Sequence, residues 1–164
     1  MKYPLILKKA IPDSFHDHIL KVVKDNEKSF IINHVGPGRK MLYNFTDDVI
    51  EEEKKKLFIK FGIEYPDVIF QPNFYYGNHI GHKIDGAILN SHIDKTEEGY
   101  VHTRINVMIR KPEIGGNPII ENSKLDIEEK DAWLCLASLQ RHESDMVHGN
   151  TPRINLSLGL LVKN

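Results

Sequence analysis

Ser91-His92-Ile93-Asp94 sets an imidazole and a carboxylate two residues apart. In an extended strand, residues i and i+2 point to the same side, so His92 and Asp94 offer their ligand atoms to one point in space. One further imidazole from a distant strand completes a two-histidine, one-carboxylate facial set, which leaves three positions on a divalent metal open. Two residues in the C-terminal part of the chain, His142 and His148, can supply it. The His-x-Asp spacing is unspecific by itself, because nine histidines in 164 residues make such a pair easy to find. The plain alternative is a capping or surface histidine. Arg153, Asn155 and Ser157 then alternate along one face of a strand whose other face is Ile154, Leu156 and Leu158. A polar stripe on a core strand has to be satisfied by something. A guanidinium does so well by gripping a carboxylate through two parallel hydrogen bonds. A surface salt bridge is the competing role for Arg153.

The elements that would position these groups are short strands. Tyr3 to Leu7 reads as a strand. Pro12-Asp13-Ser14 opens a helix, capped by Asp13 or Ser14, that runs to about Lys28 with Phe15, Ile19, Val22 and Val23 on one face. Ser29 to Asn33 and Lys40 to Asn44 read as strands about the turn Gly36-Pro37-Gly38. Thr46-Asp47-Asp48 opens a second helix through Phe61, ended by Gly62. Its run Glu51 to Lys56 reads as a solvated face with i,i+4 pairs. Beyond Tyr65-Pro66 the pattern becomes Val68 to Tyr76, His82 to Asn90, Val101 to Arg110, Pro118 to Glu121, Ala132 to Leu136, His142 to Val147 and Arg153 to Val162. Many short strands broken by Gly, Pro and Asn turns indicate a sandwich or barrel. Helices that precede the strands are expected to brace one outer sheet face. The whole chain, 1–164, is read as one domain, with 1–66 as helical support and 67–164 as the core.

The ordered set His92-x-Asp94, Gly115-Gly116, Asp131, His142 and Arg153 resembles the 2-oxoglutarate/Fe(II)-dependent oxygenases, especially their prolyl-hydroxylase-like branch. In that family an acidic residue opens an apolar strand, a metal-binding His follows, then a Val, then an Arg or Lys on the last core strand. The match is Asp131, Trp133 to Leu136, His142, Val147 and Arg153. On this register His142 is the second imidazole, and His148 stands too close to Arg153 for the family's spacing. Lys111-Pro112-Glu113-Ile114-Gly115-Gly116-Asn117-Pro118 resembles the family's Gly-Gly turn into a core strand. The resemblance spans Val68 to Val162. It implies a mainly β fold with supporting N-terminal helices, a double-stranded β-helix (jelly roll, cupin-like). It also implies Fe(II) on His92, Asp94 and His142, 2-oxoglutarate with its far carboxylate on Arg153, O2, and ascorbate as an auxiliary. Tyr75, in preference to Tyr76, would face the co-substrate. Asn155 stands where some members carry Ser, which puts the second carboxylate contact in question. The implied activity is hydroxylation of a C–H bond in a protein or peptide side chain or a small molecule.

Val101 to Arg110 alternates cleanly, with His102, Arg104, Asn106 and Met108 on one face. If that face lines the barrel, Arg104 and Asn106 contact co-substrate or substrate; if it faces solvent, they are surface residues. His79-Ile80-Gly81-His82 copies the HIGH tetrapeptide of nucleotidyltransferases, but it lies mid-chain among strands. A flexible turn at the barrel mouth, with His82 towards the site, is the expectation. A formal net charge of −1 shows no basic excess and argues against a general nucleic-acid binder. Cys135 has no second cysteine to pair with and lies in an apolar run, so it reads as a buried small hydrophobe. No signal peptide or membrane-spanning run is read, and a cytoplasmic protein is the default expectation. Two alternatives remain. One is a jelly-roll module that binds a metal or small acid without turnover. The other is a metal-free interaction domain in which His92, Asp94 and His142 lie far apart.

Overall fold

The computed structural model describes residues 5–33 and 35–164. In chain order it contains β1 (Ile6–Leu7), α1 (Asp13–Asp25), a 3-10 turn (Glu27–Ser29), β2 (Ile31–Ile32), β3 (Arg39–Tyr43), α2 (Asp48–Lys60) and a second 3-10 turn (Phe74–Tyr76). The strands β4 (His79–Lys83), β5 (Leu89–His92), β6 (Tyr100–Arg110), β7 (Ile114–Gly115), β8 (Pro118–Ile120) and β9 (Ser123–Lys124) follow. The chain finishes with β10 (Ala132–Cys135), β11 (His142–Ser144), β12 (Val147–His148) and β13 (Arg153–Lys163). The main sheet has the order β1-β10-β6-β13-β4-β3-β2, a smaller sheet has the order β5-β11-β8-β9, and β12 pairs with β7. All pairings are antiparallel, and the two sheets face each other as a jelly roll.

Strand alternation divides the core in two. Leu42, Ile80, Ile105, Val107, Leu156 and Leu158 point to the outer face of the main sheet, where Phe15 and Ile19 of α1 and Ile50, Leu57 and Phe58 of α2 cover them. The helices therefore brace one outer face. On the inner face, Trp133, Cys135 and Met108 pack against Ile120, Leu125 and Ile127. Cys135 is buried, as its apolar surroundings suggest, and burial pushes its thiol up to about 12.

Several boundaries differ from expectation. Tyr3 and Pro4 lie outside the described residues, and the first strand is Ile6–Leu7. Helix α1 begins at Asp13 with Pro12 at the N-cap position; Pro12 has no side-chain acceptor, so the helix lacks a side-chain cap, and the Asp13 carboxylate pairs with Lys130. It stops at Asp25, and a separate 3-10 turn carries the chain to Ser29. In α2, Asp47 caps the helix by accepting from the Ile50 N–H, and Gly62 ends it at φ +75°. The charged run of α2 is not a uniformly solvated face: Lys56 pairs with Glu52, but Glu53 and Lys54 are buried. Glu51 accepts from Thr46 and Asn78 instead of pairing with Lys55. Val68 to Tyr76 is irregular and closes in a 3-10 turn, since Asn73 bonds the Tyr75 N–H locally. The expected strand His82 to Asn90 is two strands, β4 and β5, separated by a turn with Gly86 at φ +79°. The HIGH tetrapeptide is thus part of a core strand and not a turn.

Candidate active site

The inner face of the main sheet is polar where its middle strands meet. On β3, Arg39, Met41 and Tyr43 point inward; on β4, His79, Gly81 and Lys83; on β13, Arg153, Asn155 and Ser157; on β6, Arg104 and Asn106. Apart from Gly81, these residues and the small-sheet residues Leu89, His92, Ile119, Ile120, His142 and Ser144 line one cavity between the sheets. Gly81 keeps the cavity open, because a Cβ there would meet Asn155 Oδ1 at 2.9 Å.

At one end of the cavity His92, Asp94 and His142 converge. β5 and β11 pair antiparallel with His142 directly opposite His92, and their rings lie 4.3 Å apart between centroids. Asp94 follows β5 and is held there by its N–H bond to the Ala137 carbonyl, at 2.8 Å. His92 Nε2 is 3.3 Å and His142 Nε2 3.6 Å from Asp94 Oδ1. One ligand atom from each residue lies within 4.8 Å of the other two. The other ring nitrogens are committed: His92 Nδ1 to the Asn90 carbonyl at 2.7 Å, and His142 Nδ1 to the Gln140 carbonyl at 2.9 Å. A ring that donates from Nδ1 presents the Nε2 lone pair, which is how a backbone carbonyl orients a metal-binding imidazole. Ligands at neighbouring positions of a metal with bonds of about 2.1 Å stand about 3 Å apart, so the donor set and spacing fit a small divalent ion.

The electrostatics suit the same role. Burial alone would raise the Asp94 carboxyl, but His92, Arg104 and His142 together hold it well below the usual carboxylate range. Arg104 Nε donates to Asp94 Oδ2 at 3.4 Å, so the carboxylate is steered from behind; His102 Nδ1, also 3.4 Å from that oxygen, makes no hydrogen bond to it. Burial lowers His142, which favours its neutral, metal-ready form. His148 is elsewhere: it is exposed on β12 and nearest Asp85, at 3.8 Å.

At the other end, Arg153 is buried with its guanidinium 5.8 Å from the Trp133 ring centre and Nη1 donating to Asn155 Oδ1 at 3.1 Å. Its Nε has no partner among the described residues. Gly116, at φ +67°, lets Arg153 lie flat, since a Cβ there would be 2.9 Å from Arg153 Cδ. An anionic group is what this end lacks. Tyr75 lies beside the metal-end residues, with Arg104 Cζ 5.8 Å from its ring centre, whereas Tyr76 turns away to donate to Glu97. Arg104 and Asn106 face the cavity and not solvent. Asp131 is structural: it accepts from Lys8 and from the N–H groups of Lys9 and Glu128.

His82 points away from the cavity, with its ring edge-on to Phe30. The cavity's His79, Lys83, Arg39 and Tyr43 were missed in the sequence. The signal for them was present: Arg39-x-Met41-x-Tyr43 and His79-x-Gly81-x-Lys83 repeat at period two against buried Leu42 and Ile80.

No protein-family model matches the sequence, and no curated protein matches it. Solved structures do match. A Pseudomonas putida prolyl-4-hydroxylase superposes with a TM-score of 0.67 at 10% identity, over 97% of this chain and 91% of that one. A viral collagen prolyl hydroxylase from Paramecium Bursaria Chlorella virus-1, in complex with 2OG, gives 0.66 at 13% identity, over 98% and 97%. HygX from Streptomyces hygroscopicus, with nickel and 2-oxoglutarate bound, gives 0.66 at 10% identity, over 96% and 82%. The fold is that of the 2-oxoglutarate/Fe(II) oxygenases. At 10–13% identity the likeness to these oxygenases is one of architecture. Among the described residues no helix is long and apolar enough to cross a membrane.

Proposed function

We propose that this protein is a 2-oxoglutarate- and Fe(II)-dependent oxygenase that hydroxylates a C–H bond of a small molecule or a protein side chain. The observation that carries this reading is the meeting of the His92, Asp94 and His142 ligand atoms within 4.8 Å, at one end of a cavity whose other end holds a buried, partly unpartnered Arg153. When bound, Fe(II) with 2-oxoglutarate and O2 supplies the oxidising chemistry, in which R–H, O2 and 2-oxoglutarate become R–OH, succinate and CO2.

The chain's own residues bind and orient. His92 Nε2, His142 Nε2 and Asp94 Oδ1 would hold the metal, with the ionised Asp94 supplying a negative charge to it. Arg104 holds the Asp94 carboxylate from its far oxygen. Arg153 grips the far carboxylate of 2-oxoglutarate, with Asn155 beside it. Tyr75, Arg104 and Asn106 complete the walls, and the apolar Leu89, Ile119 and Ile120 restrict water. Asp145, which accepts from the Asn117 N–H, ties the loop after β11 to the loop before β8. The single, unpaired thiol suits a reducing, cytoplasmic setting.

The test is succinate production from protein, Fe(II), ascorbate, O2 and 2-oxoglutarate, with D94A as control. Succinate from wild type and not from D94A is expected. Metal and 2-oxoglutarate binding with no succinate under any substrate would leave a binding module without turnover.

A further inference from the structure

Three buried basic side chains stand in a row. β3, β4 and β13 are neighbours, and the register pairs Lys83 with Arg39 on one side and with Arg153 on the other. All three line the cavity and are only 8%, 1% and 3% exposed for Arg39, Lys83 and Arg153. Among the described residues none has a carboxylate within ion-pair distance. Their partners are neutral: Asn33 Oδ1 and Met41 Sδ for Arg39, Ser144 Oγ for Lys83, Asn155 Oδ1 for Arg153. The Nε atoms of Arg39 and Arg153 have no partner. The acids nearest in effect are already engaged: Asp94 with Arg104 and the two histidines, Asp145 with Lys124. Burying like charges side by side without a counter-ion is strongly unfavourable, so the row calls for anions from outside the chain.

Adjacent strands are about 4.8 Å apart, so a carboxylate gripped by Arg153 also reaches Lys83. Arg39, two strands from Arg153, is turned to a different partner: its Nη1 donates to Asn33 Oδ1 at 2.8 Å, whereas Arg153 Nη1 donates to Asn155 Oδ1 at 3.1 Å. Arg39 sits on the side of the cavity that Asn33 and Val35 cover, away from the Gly116 end. Burial and the two flanking guanidiniums hold the Lys83 ammonium well below its usual range, so the Arg39 guanidinium is the charge left over. That excess fits a singly charged group, and the guanidinium fork suits a carboxylate.

We propose that Arg39, with Lys83 beside it, forms a second anion subsite that holds a carboxylate of the substrate, so that the substrate is a carboxylic acid. This rests on the oxygenase reading in one respect, that 2-oxoglutarate occupies Arg153.

The experiment measures binding to the Zn(II)-loaded protein. Calorimetry gives the affinity for N-oxalylglycine, a stand-in for 2-oxoglutarate, and ligand-observed NMR gives that for N-acetylglycine and N-acetylglycinamide, with and without saturating N-oxalylglycine. The acid is expected to bind at least tenfold better than its amide, also when N-oxalylglycine is present. R39M should remove that preference and leave N-oxalylglycine affinity within threefold, while R153M should weaken N-oxalylglycine at least tenfold. R39Q replaces R39M if the latter does not fold, as judged by its melting curve. Equal binding of acid and amide, binding of neither, or loss of N-oxalylglycine in R39M as large as in R153M would overturn the proposal. Failure of wild type to bind N-oxalylglycine would sink the oxygenase reading instead, and the acid-over-amide comparison in wild type and R39M would still decide the subsite.

Discussion

His92 and His142 can act as ligands only because each ring is pinned through Nδ1 to a carbonyl two residues earlier, Asn90 and Gln140. The same argument separates His142 from His148, which is exposed and has no such contact with the triad. We expect H142A and D94A to lower Mn(II) affinity by at least about 100-fold, measured by calorimetry, and H148A to leave it within about twofold. Equal losses from H142A and H148A would refute the assignment. A second prediction concerns Gly116. Its φ of +67° disfavours any side chain, and a Cβ would press on Arg153 Cδ at 2.9 Å. G116A should therefore destabilise the fold by about 1–2 kcal/mol and weaken 2-oxoglutarate binding together. A stable G116A with unchanged 2-oxoglutarate affinity would show that the contact does not set the Arg153 pose. At this scale the sequence was readable where a residue's type demands a partner. His92, Asp94, His142 and Arg153 stood out, and all line the cavity. Arg39 and Lys83 did not, because cations at strand ends look like ordinary surface residues until the register brings them together.

Among the elements, those with strong periodicity were legible. Tyr100–Arg110 and Arg153–Lys163 are long, alternate over most of their length, and pair with each other along almost all of it, with one register shift between Ile154 and Asn155. Val68 to Tyr76 was not, because its aromatic residues suit a strand but local bonding by Asn73 supplies a turn, and no neighbouring strand competes for the backbone. The charged helix α2 carries the sharpest discrepancy. Lys54 was expected in water, yet it is 1% exposed, and burial pushes it down to about 8 from 10.5 despite the charge of Glu51. The folded form thus releases this proton near pH 8, whereas the unfolded chain keeps it until about 10.5. Between those values the unfolded state binds more protons, so stability should rise with pH, and below pH 8 the charged Lys54 is a standing cost. K54M should stabilise the protein at pH 7 by about 1–3 kcal/mol in urea unfolding and flatten its pH dependence between 8 and 10. A destabilised K54M would mean that the ammonium has polar company that offsets its burial.

The whole molecule is two sheets held apart along one side by a polar cavity. On the outer face of the main sheet, helices and strands share a continuous apolar core. On the inner face the apolar packing is a smaller cluster around Trp133, and the remainder is the cavity with its cations and histidines. The small sheet carries His92 and His142 while the main sheet carries Arg153, so a metal chelated by 2-oxoglutarate would bridge the two. Ligands that bind only the folded form stabilise it by mass action, about 2.7 kcal/mol at a concentration of 100 Kd. For a chain of this size each kcal/mol moves the melting temperature by about 2–4 °C. Mn(II) and 2-oxoglutarate, each at 100 Kd, should therefore each add about 5–10 °C to Tm, measured by calorimetry or circular dichroism. Metal alone should give only the first of these increments. The variants assign the increments: H142A should lose both, because the co-substrate has no metal to chelate, whereas R153M should keep the metal increment and lose most of the second. If 2-oxoglutarate raises Tm equally with and without metal, the acid binds the cation row on its own and the bridge between sheets does not form.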